Sequence, residues 1–499
     1  MARVYDNYSS LIDFTRASYG TALRPISYGD ELVTNGTFDT DISGWSQERS
    51  ANVTVANGIA THNPVAGINS LVQGLDLTVG KLYLASITIT ESTQLSSATF
   101  QTTPNSDGTS FASVNLSITS TGSYSKVFIA TANDAYLTVN AGDNDSYSFD
   151  NISVREVLFD QPNGTLTLFN HPTNIPRIEY DADGNRLGLL VEETRTNLIT
   201  YSEDFSNAAW SGYYQKPTFV TGQLAPDGSY TAMKWNTSTT TGSGSGAAGG
   251  LVFGQGQATA GVTYTASVWL KASASVNMAF GLTDGATTVI TLTNEWVRYT
   301  YTGQSVNFLR LFQLNENTNE DIDIYIWGAQ TEVGSFPTSY IPTSGSTATR
   351  SADVASIGVS EFGYNQSEGT VVVEFQNTEI NSTDRMVSIN DGSGNNAYQI
   401  QHVNGTSTSG RIRVGATDYM FSNRTAISSG KAALLYSEEY AQFATDGSAN
   451  SQDTTVATAT MTSLNIGHIN GASQCNGHIK SLRYFPRKLT ESQLEALTS

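Results

Sequence analysis

The feature that most constrains this chain is an internal repeat. The stretch Glu31-Leu-Val-Thr-Asn-Gly-Thr-Phe38, ending at Trp45, recurs as Asn197-Leu-Ile-Thr-Tyr-Ser-Glu-Asp-Phe205, ending at Trp210. Gly80-Lys-Leu-Tyr-Leu-Ala-Ser-Ile-Thr-Ile recurs as Gly261-Val-Thr-Tyr-Thr-Ala-Ser-Val-Trp-Leu, and Phe149-Asp-Asn-Ile-Ser-Val-Arg-Glu-Val157 is echoed by Ile326-Trp-Gly-Ala-Gln-Thr-Glu-Val333. Three matches in one order imply two copies of one domain. Within each copy the apolar side chains alternate, as in Tyr83, Ala85, Ile87 and Ile89 and again in Tyr264, Ala266, Val268 and Leu270. That is the pattern of a strand burying one face. Asn57-Gly58, Asp107-Gly108, Asp227-Gly228 and Asp284-Gly285 supply turns between strands. No helical period intervenes, so each copy reads as a jelly-roll β-sandwich.

A third unit follows Arg350. Val371, Val373 and Phe375 share a strand face, Asp391-Gly392, Asn404-Gly405 and Asp446-Gly447 mark turns, and Arg411-Ile-Arg-Val alternates again. Thr490 and Gln493 have capping-box spacing and open a short terminal helix whose Leu494 and Leu497 dock on a third sandwich. The expected fold is therefore all-β: tandem jelly rolls plus a C-terminal sandwich.

Composition agrees and narrows the function. Of 499 residues only 14 % are charged, against 38 % hydrophobic and 10 % aromatic; helix bundles and coiled coils draw on far more Glu, Lys and Arg. Lys and Arg number 25 and Asp and Glu 45, a net charge of −20 with no basic cluster. That balance argues against nucleic acid and against an anionic membrane surface, both of which reward neutralising cations. It also opposes an anionic polysaccharide at low salt. Cys475, the single cysteine, excludes an intramolecular disulfide and a thiolate zinc site. The first residues show no apolar segment of the secretory kind, and no apolar run approaches a membrane span.

The two repeats resemble carbohydrate-binding modules of the family 4/9 type, on the Asn-Gly-x-Phe opening with Trp45, the Tyr-x-Ala-Ser-x-Trp-Leu-Lys-Ala strand at 264–272, and the closing Asp150-Asn-Ile-Ser-Val. The C-terminal unit is similar to concanavalin A-like, laminin-G-like sandwiches, where a strand like Gly477 to Tyr484 precedes a helix with the Leu-Thr-x-x-Gln-Leu pattern of 489–494. Three further segments resemble structural proteins of tailed phages that carry head-spike or head-fibre modules. They are Asp13-Phe-Thr-Arg-Ala-Ser18; Asn174-Ile-Pro-Arg-Ile-Glu-Tyr-Asp181 with Gly188-Leu-Leu-Val-Glu-Glu-Thr-Arg-Thr-Asn197; and Phe336-Pro-Thr-Ser-Tyr-Ile-Pro-Thr343 with Thr349-Arg350. In such proteins the first piece runs soon into the second, whereas here 31–156 lies between them. The implied layout is an anchoring segment (1–30), an inserted jelly roll (31–156), a hairpin-rich connector packing with the N-terminal segment (157–196), a second jelly roll (197–350) and the closing sandwich (351–499).

The resemblance implies a non-enzymatic virion protein: a head fibre, spike or capsid decoration, with a tail-fibre or receptor-binding component as the alternative and a polysaccharide-degrading enzyme as the more distant one. Its partners would be capsid or tail proteins, met through the N-terminal segment, and a host-surface glycan. Appendages of this kind are often trimeric homo-oligomers. Glycan modules stack sugars on aromatic faces. The candidates are Trp269, Trp235, Tyr213 and Tyr214, with Trp45 and Trp210 reading as framework because they occupy equivalent repeat positions. Trp269 lies on the opposite strand face from Val268 and Leu270. The resemblance also places a structural Ca²⁺ at Asp150, where the second copy has Trp327. Asp181-Ala-Asp-Gly-Asn185 superficially resembles a calcium loop but has Arg186 where glycine is needed, so it reads as a hairpin turn. No catalytic residues are assigned. The Glu-x-Asp-x-x-Glu strand of sandwich glycosidases, the nucleophile elbow and the His-Glu-x-x-His motif are all missing, and His62, His171, His402, His468 and His478 are scattered.

Overall fold

The computed structural model describes residues 12–499 apart from 108–109, 214, 240–246, 255–256, 284–285, 305–307, 315–320, 381–383 and 455–456. Its contacts divide the chain into one unit of 25–166 and another of 1–24 with 167–499. The chain passes from one to the other inside two strands, Gly20–Tyr28 and Thr165–His171.

The smaller unit is the first jelly roll. One sheet orders the strands Ser46–Glu48, Asn69–Gly74, Tyr136–Ala141, Thr99–Thr103 and Asn115–Ser117. Facing it, Leu82–Gln94 lies between Gly122–Ile129 and Ser146–Phe159. Phe38, Phe100 and Phe149 sit with Ile87 and Leu137 in the core between them. In the larger unit the second jelly roll repeats the plan. One sheet runs Trp210–Tyr213, Ala247–Phe253, Leu309–Leu314, Val276–Thr283, Ala286–Leu292; the other runs Val220–Gln223, Ala232–Asn236, Asp323–Val333, Thr263–Ala272, Val297–Gln304.

The copies share individual hydrogen bonds. Trp45 Nε1 donates to Asn35 O at 3.1 Å, and Trp210 Nε1 donates to Tyr201 O at 2.8 Å. Tyr83 Oη accepts from Thr78 N, five residues earlier, and Tyr264 Oη accepts from Thr259 N. The Glu31 carboxylate takes Val33 N and Val154 N, and the Asn197 side-chain oxygen Oδ1 takes Ile199 N and Thr331 N. Each closing strand also shifts register at one left-handed residue, Asn151 (φ 52°) or Gly328 (φ 63°). The residue after it donates to the opening segment, Ile152 N to Gly36 O and Ala329 N to Ser202 O, both 2.9 Å. The repeated Trp and Tyr thus fix local turns in each copy, while different residues at equivalent places, Glu31 and Asn197, tie opening to closing strand.

The C-terminal sandwich is not made by 351–499 alone. Its first sheet begins with Asp13–Thr15, which pairs antiparallel with Val354–Gly358 (Phe14 opposite Ala355), and continues through Ser463–Ile466, Arg385–Asn390, Ala397–Val403, Ser407–Val414 and Thr417–Thr425. Its second sheet begins with the hairpin Ile178–Tyr180 and Arg186–Val191, joined to Gly477–Phe485, then Glu368–Asn377, Ser429–Ser437, Gln442–Thr445 and Ser448–Ala449. Phe14, Ile178, Leu189 and Val191 share one core with Val371, Val373 and Phe375. The N-terminal segment and the connector therefore do meet, but as edge strands of the closing sandwich rather than as a module of their own. The hairpin turn at 181–185 is as expected, with Asp181 Oδ1 accepting from Asp183 N and Asn185 N. The terminal helix Glu491–Thr498 carries the full capping box between Thr490 and Gln493 and buries Leu494.

Candidate functional site

The segments most distinctive in sequence converge inside the larger unit. Arg16, beyond the first edge strand, donates Nη1 to Asp353 Oδ1 at 3.1 Å and Nη2 to the carbonyls of His171 and Pro172. Arg177, just before the hairpin, bonds Asp353 with Nη2, Glu192 Oε2 with Nη1 at 2.8 Å and Ser339 Oγ at 2.6 Å. Ser339, on the strap 336–343, donates its N–H and hydroxyl to the two Glu192 oxygens at 2.8 and 2.7 Å. Arg350 completes the cluster, 3.5 Å from Glu192 and 3.8 Å from Asp353. Glu192 N and Asp353 N reach across to Asp353 Oδ2 and Glu192 O, both 2.9 Å. All five charged side chains are buried. Burial pushes the Arg16 guanidinium down, to about 10, with Arg177 adding to the effect and Asp353 opposing it. Burial alone would raise the Glu192 carboxyl, but Arg350, Arg177 and the Ser339 bonds outweigh it and hold it well below the carboxylate range. Arg177 Nε and Arg350 Nε are buried without a hydrogen-bond partner among the described residues, and the other contacts close the cluster as a lock.

The aromatic candidates fare as follows. Trp235 is 1 % exposed in the core of the second jelly roll, with Phe219 edge-on at 5.7 Å, and has no ring face to offer a sugar. Trp269, on the outer sheet face, is only 9 % exposed. Trp327 and Tyr340 pack against it at 5.3 and 5.4 Å, and the Arg298 guanidinium lies 4.5 Å from its ring centre. Alternation put the ring on the outer face; the strap carrying Tyr340 then covered that face. Trp45 and Trp210 are buried framework. Tyr213 is half-buried under the Arg310 guanidinium at 3.5 Å, with Phe312 at 4.8 Å. Tyr214 lies outside the described residues. The Asp150 carboxylate accepts from its neighbour, Asn151 N at 2.7 Å and Nδ2 at 3.1 Å, which caps the register shift. Among the described residues no three His, Cys, Asp or Glu side chains group closely enough to hold a metal.

The outer face of the same sheet holds an aromatic pair that alternation did not single out. One row beyond Trp269 the strands align Lys234, Tyr325 and Lys271, and Trp296 lies beside them. Trp296 and Tyr325, both half-buried, stand 6.5 Å apart with their rings at 76°. Lys271 Nζ lies 5.1 Å from the first ring centre and 4.9 Å from the second. Lys234 is paired with Asp323 at 2.6 Å, and Asn236 Nδ2 bridges Asp321 and Asp323 at 2.7 and 3.1 Å. Rings, ammonium, amide and carboxylates on one face are the groups that read a saccharide. Trp296 escaped notice because it follows a turn and belongs to no alternating run.

A cleft of about 320 Å³ opens between Tyr201, Glu203, Asp204 and Pro342 to Ser344. Burial raises the Glu203 carboxyl, whose Oε1 accepts from Tyr340 Oη at 2.9 Å. Cys475 is buried, which pushes its thiol up and leaves it unreactive. His468 is spent on the backbone of Ala355 and Gly471.

No protein-family model matches the chain, and no curated protein matches it. Solved structures similar to it include the carbohydrate-binding module CBM40 of the Ruminococcus gnavus IT-sialidase bound to α2,6-sialyllactose, 18 % identical with a TM-score of 0.25 over 27 % of this chain and 85 % of that one. The CBM22 tandem of Paenibacillus barcinonensis Xyn10C is 11 % identical, with a TM-score of 0.21 over 61 % and 98 %. Domains LG4-5 of the mouse laminin α1 chain are 12 % identical, with a TM-score of 0.21 over 56 % and 92 %. The all-β architecture rests on the strands and sheets described above.

Proposed function

We propose that this chain is a non-enzymatic structural protein of a tailed-phage virion, a head fibre, spike or capsid decoration, whose sandwiches make weak, multivalent contact with a host-surface glycan. One observation carries the reading. The three segments that resemble phage structural proteins supply Arg16, Arg177, Glu192, Ser339 and Arg350, and these meet in one buried cluster with Asp353. Segments more than 300 residues apart thus act as one signature, that of a scaffold. Glycan contact falls to the half-exposed Trp296–Tyr325 pair and Lys271 rather than to Trp269 or Trp235. One or two stacked rings supply only a few kcal/mol, roughly millimolar to micromolar affinity, which many copies convert into avidity.

The test is location. Antibody gold labelling of purified particles should decorate the head; label on the tail selects the tail-fibre alternative, and particles without label overturn the virion reading. Sustained release of reducing sugar from host polysaccharide would overturn the non-enzymatic part. Virion anchoring through the N-terminal segment is tested by removing residues 1–11 only. A deletion through residue 25 would also strip Phe14 from the core and Arg16 from the lock, and loss of the protein from particles would then report misfolding.

A further inference from the structure

The cleft beside Glu203 is built by two segments that the fold zips together. Tyr201 and Ser344 form an antiparallel bridge, Ser202 N donates to Thr343 Oγ1 at 3.0 Å, and Thr343 N donates back to Ser202 Oγ at 2.8 Å. The same Ser202 hydroxyl lies 2.7 Å from Tyr340 Oη, which donates to Glu203 Oε1 at 2.9 Å. Thr231, which takes Trp327 Nε1 at 2.8 Å, also bonds the Glu203 carboxyl. The carboxylate is thus held in place by the protein while about 320 Å³ stay open between the two segments. That volume lies at the lower end for a small-ligand pocket, about 300–1,000 Å³, and suits a single sugar ring.

We propose that this cleft binds an amino sugar, its ammonium meeting Glu203 and Asp204 and its ring packing on Tyr201 and Pro342. The lining has one sign of charge: among the described residues it includes two carboxylates and no Lys, Arg or His. Asp204 holds the following turn through Oδ1, which accepts Ser206 N at 3.1 Å and Asn207 N at 3.2 Å; neither bond uses Oδ2. Lys216, the cation that feels Asp204, is spent on the carbonyls of Ser206 and Asn207 at 2.9 and 2.7 Å. Burial raises the Glu203 carboxyl and Asp227 adds to the effect, against the opposing bonds of Tyr340 and Thr231. An ammonium close by would relieve that cost. A carboxylate accepts several hydrogen bonds, so the Tyr340 bond leaves Glu203 able to take more. The Tyr201 ring and Pro342 offer the apolar surface on which the C–H face of a pyranose packs, and the exposed Ser344 hydroxyl can meet a sugar hydroxyl. A lysine side chain would use the charge alone. The inference goes beyond the virion reading and beyond the Trp296–Tyr325 contact, since neither ring nor Lys271 lines the cleft.

The experiment is a calorimetric titration of the full chain at about pH 6, where such amines carry a proton. The probe is fully deacetylated chitohexaose, compared with N-acetylated chitohexaose of the same backbone. Wild type should bind the amino form in the millimolar to micromolar range and the acetylated form about tenfold more weakly or worse. The net charge of −20 draws any polycation, so the variants decide. Glu203→Gln keeps an acceptor for Tyr340 and should weaken binding of the amino form by about tenfold. Ser344→Trp places a bulky ring at an exposed lining position and should abolish binding, which keeps the test valid should Glu203→Gln unfold. Trp296→Ala should leave binding intact. No binding of the amino form at about 10 mM, wild-type affinity in both cleft variants, or equal affinity for trilysine overturns the proposal. A chain found on particles that fails this titration loses only this cleft, and one that binds but is absent from particles loses only the virion reading.

Discussion

Replacing Asp353 by Asn should unfasten the larger unit. The wild-type carboxylate answers Arg16 at 3.1 Å, Arg177 through its other oxygen and Arg350 at 3.8 Å, and that second oxygen also accepts Glu192 N. Asparagine keeps the shape and one acceptor but removes the charge, leaving Arg177 and Arg350 to share Glu192 and depriving Arg16 of its carboxylate partner. Breaking a buried pair in this way costs about 3–5 kcal/mol, since desolvation of the remaining charges is no longer offset. For domains of about 150–250 residues each kcal/mol moves the melting temperature by about 2–4 °C. The larger unit exceeds that size, so each kcal/mol moves it by less than about 2 °C and a loss of at most about 6–10 °C is expected. Differential scanning calorimetry should show the transition of the larger unit lowered, with that of 25–166 in place. Limited proteolysis should cut first near Ser18, because Arg16 Nε holds Ser18 O at 2.8 Å and this hold depends on the arginine staying docked. A variant melting within about 1 °C of wild type would refute the idea that the cluster fastens the edge strands, and would leave it as burial tolerated for reasons other than stability.

Two further outcomes follow. Burial pushes the His62 imidazole from 6.5 down to about 4, with its ring nitrogen 3.1 Å from Val139 O; only the unfolded chain takes up a proton between those values. The 25–166 unit should therefore be fully stable above pH 6.5 and lose about 3 kcal/mol as the pH falls to 4, a slope absent in His62→Gln on urea titration at stepped pH. Trp269→Ala should cost about 3–5 kcal/mol by opening a cavity against Trp327 and Tyr340, and particle adsorption at a temperature where the variant is folded should match wild type; Trp296→Ala should do the reverse.

The jelly rolls were legible because their signals are local and doubled. Trp45 and Trp210, Tyr83 and Tyr264, and Asn151 and Gly328 each make the same bond or bend in both copies. Alternation likewise marked Val371, Val373 and Phe375 as core. What alternation reports is the side of a sheet, never what lies over it. Trp269 was read as open for that reason. The membership of Asp13–Thr15 in the closing sandwich left no trace at all: its partner strand begins at Val354, and a pairing across that separation has no spacing to read.

The distinctive motifs also misdirect a search for a binding site, for a physical reason. A buried ion cluster tolerates few substitutions, since each charge must meet its partners in fixed geometry or be left desolvated and unpaired. Such a cluster therefore demands particular residues at particular places, which is what makes Phe-Thr-Arg-Ala-Ser or Ile-Pro-Arg-Ile-Glu-Tyr recognisable. A weak saccharide contact makes no comparable demand. A ring, an ammonium or an amide in many positions on an open sheet will serve where, as in the proposed function, affinity is to come from many copies rather than from any one contact. Residues such as Trp296, Tyr325 and Lys271 accordingly carry no motif; only the fold brings the half-buried rings and the ammonium together. Under the proposed function, the conspicuous sequence belongs to the frame and the inconspicuous surface to the contact.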